Sequence, residues 1–213
     1  MKKKLLGFYD YTVILTYGGM LAAFCGILKV MAQDYKGALF CLMLAGICDA
    51  FDGTVASTKD RTFGEKRFGI QIDSLSDLIS FGVLPGLFVY MISGKNVVIG
   101  YISALFVLCA LIRLSYFNVL EEERQNSTPE GRTTYLGVPV TTVAILLPLV
   151  YLIYDHRIFK SSIGFPILLL LLGFGFLSPV EVKKPGMIGK IGIVFLGALE
   201  ALGMIFFMGW DLV

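Results

Sequence analysis

Four aspartates, Asp49, Asp52, Asp73 and Asp77, stand inside stretches that are otherwise apolar. A carboxylate within the hydrocarbon of a bilayer costs at least about 2.5 kcal/mol on insertion scales, so four cost on the order of 10 kcal/mol before compensation. Their spacing concentrates them. Asp49 and Asp52 are i,i+3, and Asp73 and Asp77 are i,i+4, so each pair shares one helical face. Two such faces turned together place four carboxylates in one small volume, where they cannot all stay ionised unless cations join them. An all-oxygen donor set calls for hard divalent ions, Mg²⁺ or Mn²⁺, rather than zinc. Two ions a few ångströms apart could neutralise the cluster and hold a phosphate group for in-line displacement. The one histidine, His156, is expected on the opposite side of the membrane, which argues further against a zinc or histidine-based mechanism.

The elements that must carry these groups follow from composition. The chain has 213 residues, of which 56% are hydrophobic and only 16% charged, with a mean hydropathy of +0.79. Charged residues make up about a quarter of a soluble chain, so an ordinary cytosolic enzyme, a disordered chain and a collagen-like fibre are all excluded. A net charge of +2 gives no field for nucleic acid. Cys25, Cys41, Cys48 and Cys109 lie in apolar runs without a CxxC, so neither a disulfide framework nor a zinc site is indicated. A transmembrane helix needs roughly 20 mostly apolar residues. Seven stretches qualify or nearly so: about 11–33, 37–57, 69–93, 97–119, 136–154, 162–180 and 188–210, the fifth and sixth being shortest. Residues 1–10 read as a short surface segment, 11–210 as one polytopic domain and 211–213 as a tail, with no internal repeat. The first apolar run is too long for a cleaved signal peptide, and no small-residue cleavage site stands out.

Loop charges give the orientation. With the N-terminus inside, the inner segments hold Lys2, Lys3, Lys4, Lys59, Arg61, Lys66, Arg67, Arg124, Arg132, Lys183, Lys184 and Lys190. The outer side holds only Lys29, Lys36, Lys95, Arg157 and Lys160. The four acids then fall near the cytoplasmic face of the cell membrane. Asp49 and Asp77 lie roughly 12 Å from the inner ends of their spans, and Asp52 and Asp73 about 6 to 8 Å. In an antiparallel hairpin the pairs match in depth. Helix caps or turn residues would explain one or two of the acids, but poorly four at one level. An ion- or proton-coupled transporter also uses intramembrane acids, yet its sites are expected near the midplane in repeated halves. A metal site at this depth instead reaches the phosphates of a lipid whose tails stay in the bilayer. Gly53 and Gly69 would let a ligand approach the backbone closely, whereas Gly82 and Gly86 suit helix packing.

In order, these residues read Asp49-x2-Asp52-Gly53-x2-Ala56, then Gly69-x3-Asp73-x3-Asp77. The pattern resembles the signature of the CDP-alcohol phosphotransferase family. The resemblance implies an all-α integral membrane enzyme with a six-helix core, here with a seventh span, working as a homodimer. It also implies that Asp49, Asp52, Asp73 and Asp77 ligate two ions of Mg²⁺ or Mn²⁺, that Asp77 is also the base, and that Gly53, Ala56 and Gly69 line the CDP moiety. The chain departs from the pattern in two ways. Ser57 stands where the family has arginine, and eleven residues, Thr58–Phe68, separate Ser57 from Gly69 where the family has eight. Lys59, Arg61, Lys66 and Arg67 are the possible substitutes for that arginine, with Lys59 and Arg67 taken as CDP-lipid ligands.

The run Phe68–Gly86, the stretch Leu111–Val119 and Gly137–Thr142 are similar to segments of the phosphatidylserine synthase branch of the family. That likeness implies transfer of a phosphatidyl group from CDP-diacylglycerol to L-serine within the lipid bilayer. Glycerol phosphate and inositol phosphate are the acceptors of sister activities. Arg113, well inside the fourth span, is either the partner of a buried acid or a bidentate ligand for the carboxylate of serine. Asn118 is a second candidate for the acceptor headgroup. Glu200, in the last span, is given no catalytic role.

Overall fold

The computed structural model describes residues 6–127, 134–155, 162–183 and 186–206. Lys2, Lys3, Lys4, Arg132, His156, Arg157, Lys160, Lys184, Trp210 and the tail 211–213 lie outside these residues, so the expectations placed on them do too.

Asp10 starts the first helical segment by accepting from the Thr12 amide at 2.9 Å, which opens a 3-10 turn, Tyr11–Val13, leading into α1, Ile14–Met31. A tight turn with Gln33 at φ 63° reverses the chain. Asp34 caps α2, Tyr35–Ala56, by accepting from the Gly37 amide at 2.8 Å. The next helix begins with a capping box. Thr62 Oγ1 accepts from the Glu65 amide at 3.3 Å, and the Glu65 carboxylate accepts from the Thr62 amide at 2.7 Å, opening α3, Phe63–Asp77. From Leu78 to Val83 the helix widens to a π-type turn before tightening again into α4, Leu84–Ile92, with Pro85 in its first turn. The proline has no N–H to give to the preceding turn, so a wider winding there costs less than it would elsewhere. Then follow α5, Val97–Ser127, α6, Val143–Asp155, α7, Gly164–Leu177, and α8, Met187–Phe206.

Three expected spans change their bounds. The third span begins at Phe63 rather than Gly69, because the capping box extends the helix outward with the polar turn Glu65–Arg67. The fifth and sixth spans shorten, because Thr134–Leu136 and Glu181–Lys183 pair as a small antiparallel ladder. Gly137 turns the chain off that ladder at φ 72°, where a Cβ would lie 2.7 Å from the Phe176 carbonyl, so only glycine fits.

Five helical stretches among the described residues are long and apolar enough to cross a membrane: Tyr11–Met31, Tyr35–Ala56, Phe63–Ile92, Val97–Arg124 and Ile188–Phe206. Val140–Tyr154 and Gly164–Leu177 are apolar but shorter. Large apolar side chains such as Leu21, Phe24, Leu105, Ile112, Phe174 and Phe195 point outward, a surface that lipid covers and water would not. The chain is an all-α integral membrane protein apart from the three-residue ladder.

Inside, Phe88 stacks edge-on against Tyr35, Tyr151 and Phe165 at centroid distances of 5.4 to 6.0 Å, which joins α2, α4, α6 and α7. Close approach of α1 to α2 depends on Gly19 and Gly26. A Cβ on Gly19 would come within 3.2 Å of Cys48, and one on Gly26 within 3.0 Å of Cys41. That contact brings α1 onto the acidic face of α2. Gly82 and Gly86 both turn toward α5, with Ala110 and Val107 at 3.5 and 3.2 Å from their Cβ positions, as their packing role requires.

Candidate active site

Helices α2 and α3 both pack on α1, which turns their four aspartates toward one another across a cleft. Ligand oxygens of Asp49, Asp52 and Asp73 lie within 4.8 Å of one another. Asp49 faces Asp77, and Asp52 faces Asp73, each pair close enough for the two carboxyl groups to interact. The deeper acid of one helix thus meets the deeper acid of the other, as the matched depths demand. All four are half-buried, and they line a narrow cleft with Thr16, Gly19, Cys48, Ser76, Ser80 and Phe81. The donors are carboxylates backed by hydroxyls, which suits a hard divalent cation.

Helix α1 takes a direct part that the sequence did not reveal. Thr16 Oγ1 donates to Asp52 Oδ2 at 3.2 Å, and the Thr16 carbonyl accepts from Ser76 Oγ at 3.3 Å. A buried hydroxyl in an apolar run has no distinguishing pattern, so no sequence signal could have picked out Thr16. Ser74 ties the signature helix to α5 by donating to Asn118 Oδ1 at 2.7 Å, and Asn118 Nδ2 donates to Gln71 at 3.5 Å. Arg113 is buried, packs its guanidinium over the Phe117 ring at 4.7 Å, and its charge acts on Asp49.

The signature glycines differ in their surroundings. A Cβ at Gly53 would meet nothing within 4 Å, so that side of α2 is open. At Gly69 the guanidinium of Arg61 lies 3.0 Å from the Cβ position. Ala56 is buried at the end of α2. The two loop cations expected at the CDP-lipid are held elsewhere. Lys59 donates to Asp10 at 2.7 Å and to Glu65 at 2.9 Å, and holds the Asp10 carboxyl down at about 2. Arg67 pairs with Glu122 and covers the Phe63 ring. These bonds pin the stretch before α1 to the α2–α3 connection, and the C-terminal part of α5 to the first turns of α3. The stretch before α1 is further fastened by Phe8 against Phe68 at 5.2 Å and by Tyr17 donating to the Phe8 carbonyl at 2.9 Å.

A second cation comes from the far end of the chain. Lys190 on α8 donates to the Ala50 carbonyl at 2.5 Å and to Thr54 Oγ1 at 3.3 Å, and its charge acts on both Asp49 and Asp52. From the sequence it counted only as an inner-side charge. Glu200 is buried, and neither carboxylate oxygen has a hydrogen-bond partner among the described residues.

Comparison with known proteins decides what kind of site this is. Residues 12–177 match the model of the CDP-alcohol phosphatidyltransferase family. The chain belongs to that family. It is 32% identical over 209 residues to a Helicobacter pylori protein named CDP-diacylglycerol–serine O-phosphatidyltransferase, covering 89% of this chain and 84% of that one. A Saccharomyces cerevisiae protein of the same name is 36% identical over 122 residues, covering 56% of this chain and 43% of that one. The archaetidylserine synthase of Methanothermobacter thermautotrophicus is 32% identical over 154 residues, covering 70% and 61%. The chain is therefore a transferase of phospholipid biosynthesis, working by phosphatidyl transfer in a family that generally depends on divalent metal. The transporter reading falls with that assignment. The family match ends at Leu177, so α8 and Lys190 lie beyond it.

Proposed function

We propose that this protein transfers the phosphatidyl group of CDP-diacylglycerol to the hydroxyl of L-serine, giving phosphatidylserine and CMP, at the cytoplasmic face of the cell membrane. The observation that carries the reading is the meeting of Asp49 with Asp77 and of Asp52 with Asp73 in one cleft of a chain from this family. Relatives whose names specify different lipid backbones both have serine in those names, which favours serine over glycerol phosphate or inositol phosphate.

Asp49, Asp52, Asp73 and Asp77 would hold two ions of Mg²⁺ or Mn²⁺. When bound, the ions polarise the phosphate and offset the charge that develops in transfer. Asp77 takes the proton of the serine hydroxyl as its oxygen attacks the phosphorus joined to diacylglycerol, and the bond from that phosphorus to the CMP oxygen breaks. Thr16 orients Asp52. Arg113 receives the serine carboxylate in a bidentate pair, steadied on Phe117. Asn118, held by Ser74 and Gln71, faces the polar headgroup. Gly53, Ala56 and Gly69 line the CDP moiety. Lys59 and Arg67 reach its phosphates only by exchanging their present carboxylate partners. A homodimer in the bilayer, implied by the family resemblance, completes the proposal.

The test is an acceptor competition. Purified protein receives CDP-diacylglycerol, Mn²⁺ or Mg²⁺, and labelled serine, glycerol phosphate or inositol phosphate in parallel. Label enters lipid from serine, with one CMP released per lipid formed. Incorporation from glycerol phosphate or inositol phosphate instead of serine overturns the acceptor assignment.

A further inference from the structure

We propose that Lys190, on the helix beyond the family-matched stretch, is a phosphate-binding residue of this active site, receiving the diphosphate of the CDP-linked lipid. The inference rests on the CDP-lipid reading above and adds a residue to it.

Charge balance motivates a further cation. Four aspartates offset by two divalent ions leave no net positive charge, yet a nucleotide diphosphate ester brings two negative phosphates into a region of low dielectric, where unpaired charge is costly. With Arg113 assigned to the acceptor carboxylate, the phosphates need another partner. Of the loop cations, Lys59 and Arg67 are already neutralised by carboxylates, and Arg61 stands beside Gly69 of α3, which leaves the Gly53 side of α2 to another cation. Lys190 is different. Its two hydrogen-bond partners, the Ala50 carbonyl and the Thr54 hydroxyl, are both neutral. An ammonium has three donors, so one remains for a ligand, and the charge is not cancelled by an ion pair among the described residues.

Position supports the same role. At about 100° per residue around α2, Gly53 falls between the direction of Asp49 and Asp52 and the direction of Ala50 and Thr54. The aspartates therefore stand on one side of Gly53 and the Lys190 ammonium on the other. Nothing lies within 4 Å of the Gly53 Cβ position, so the surface between carboxylates and ammonium is open. A phosphate seated over Gly53 touches the metal-binding side with some of its oxygens and Lys190 with another. Helix α8 is held in this register by packing: Met43 of α2 and Leu152 of α6 lie 3.8 and 3.6 Å from the Cβ positions of Gly197 and Gly203.

The test uses the full-length protein and its K190M and K190R variants, with three readouts: CDP binding at saturating Mn²⁺, Mn²⁺ binding without nucleotide, and thermal stability. Loss of a hydrogen bond to a charged group predicts CDP binding weakened roughly 10-fold or more in K190M. K190R keeps the charge and loses less CDP affinity than K190M. Mn²⁺ binds K190M as tightly as the wild type or more tightly, because a cation beside Asp49 and Asp52 has been removed. Unchanged CDP affinity in K190M overturns the proposal. So does a parallel loss of CDP and Mn²⁺ binding, which a merely structural role of Lys190 in tying α8 to α2 would give together with a lowered melting temperature. Serine incorporation is scored separately. If the wild type binds CDP and K190M does not, while no serine enters lipid, the acceptor reading fails and the role of Lys190 stands.

Discussion

Replacing Thr16 by valine tests whether α1 helps to build the metal site or only packs beside it. Valine keeps the β-branched shape and volume of a residue that is 8% exposed, so α1 stays on α2. What is lost is the hydroxyl that donates to Asp52 Oδ2 at 3.2 Å. The backbone carbonyl that accepts from Ser76 remains. A hydrogen bond to a charged group contributes about 1.5 to 3 kcal/mol, and 3.2 Å is long for an O–H donor, so a value at or just below that range, about 1 to 1.5 kcal/mol, applies. That energy orients the carboxylate for a cation, and its loss weakens Mn²⁺ binding roughly 5- to 10-fold. The assay is a Mn²⁺ titration followed by electron paramagnetic resonance on purified Thr16→Val protein in nanodiscs. It is paired with the metal dependence of turnover. The binding curve shifts to higher Mn²⁺, while kcat at saturating metal stays within about twofold of the wild type. An unshifted curve, or a loss of kcat that excess Mn²⁺ does not restore, refutes the assignment.

Three further substitutions separate the roles of neighbouring groups. Asp77→Asn lowers kcat about 100-fold or more, as removal of a general base does, while CDP binding measured by calorimetry persists. Arg113→Met raises the KM for serine roughly 10-fold or more and leaves the KM for CDP-diacylglycerol near the wild-type value in steady-state kinetics. Gly137→Ala forces a side chain to φ 72° and against the Phe176 carbonyl. It lowers stability by about 1 to 2 kcal/mol or more, seen as a lower melting temperature in detergent.

Much of the site was legible because charge in a bilayer is expensive. Four acids that break the rule together are conspicuous, and the i,i+3 and i,i+4 spacings place them on two faces. The pairing of Asp49 with Asp77 and of Asp52 with Asp73 follows from their depths in an antiparallel hairpin. Other features carry no such mark. The wide turn Leu78–Val83 sits directly after Asp77, but an apolar run reads the same at either helical pitch. Thr16 is one hydroxyl among apolar neighbours. Lys59 and Arg67 looked available because, apart from Glu65 beside Lys59, the acids that hold them are remote in sequence. Asp10 lies 49 residues before Lys59, and Glu122 lies 55 after Arg67. Lys190 satisfied the inside-positive rule, and its reach to α2 spans 140 residues. The short fifth and sixth helices reflect the ladder 134–136 with 181–183, whose two strands are too short for alternation to show.

The account turns on four carboxylates acting as one metal centre, and the most direct test is the number of Mn²⁺ ions bound per chain at equilibrium. Wild-type protein is predicted to bind two, with Asp49→Asn and Asp73→Asn each reducing the count and abolishing phosphatidyl transfer. A wild-type protein that transfers phosphatidyl groups at full rate with no bound divalent ion, or one whose count is unchanged in both variants, would contradict it.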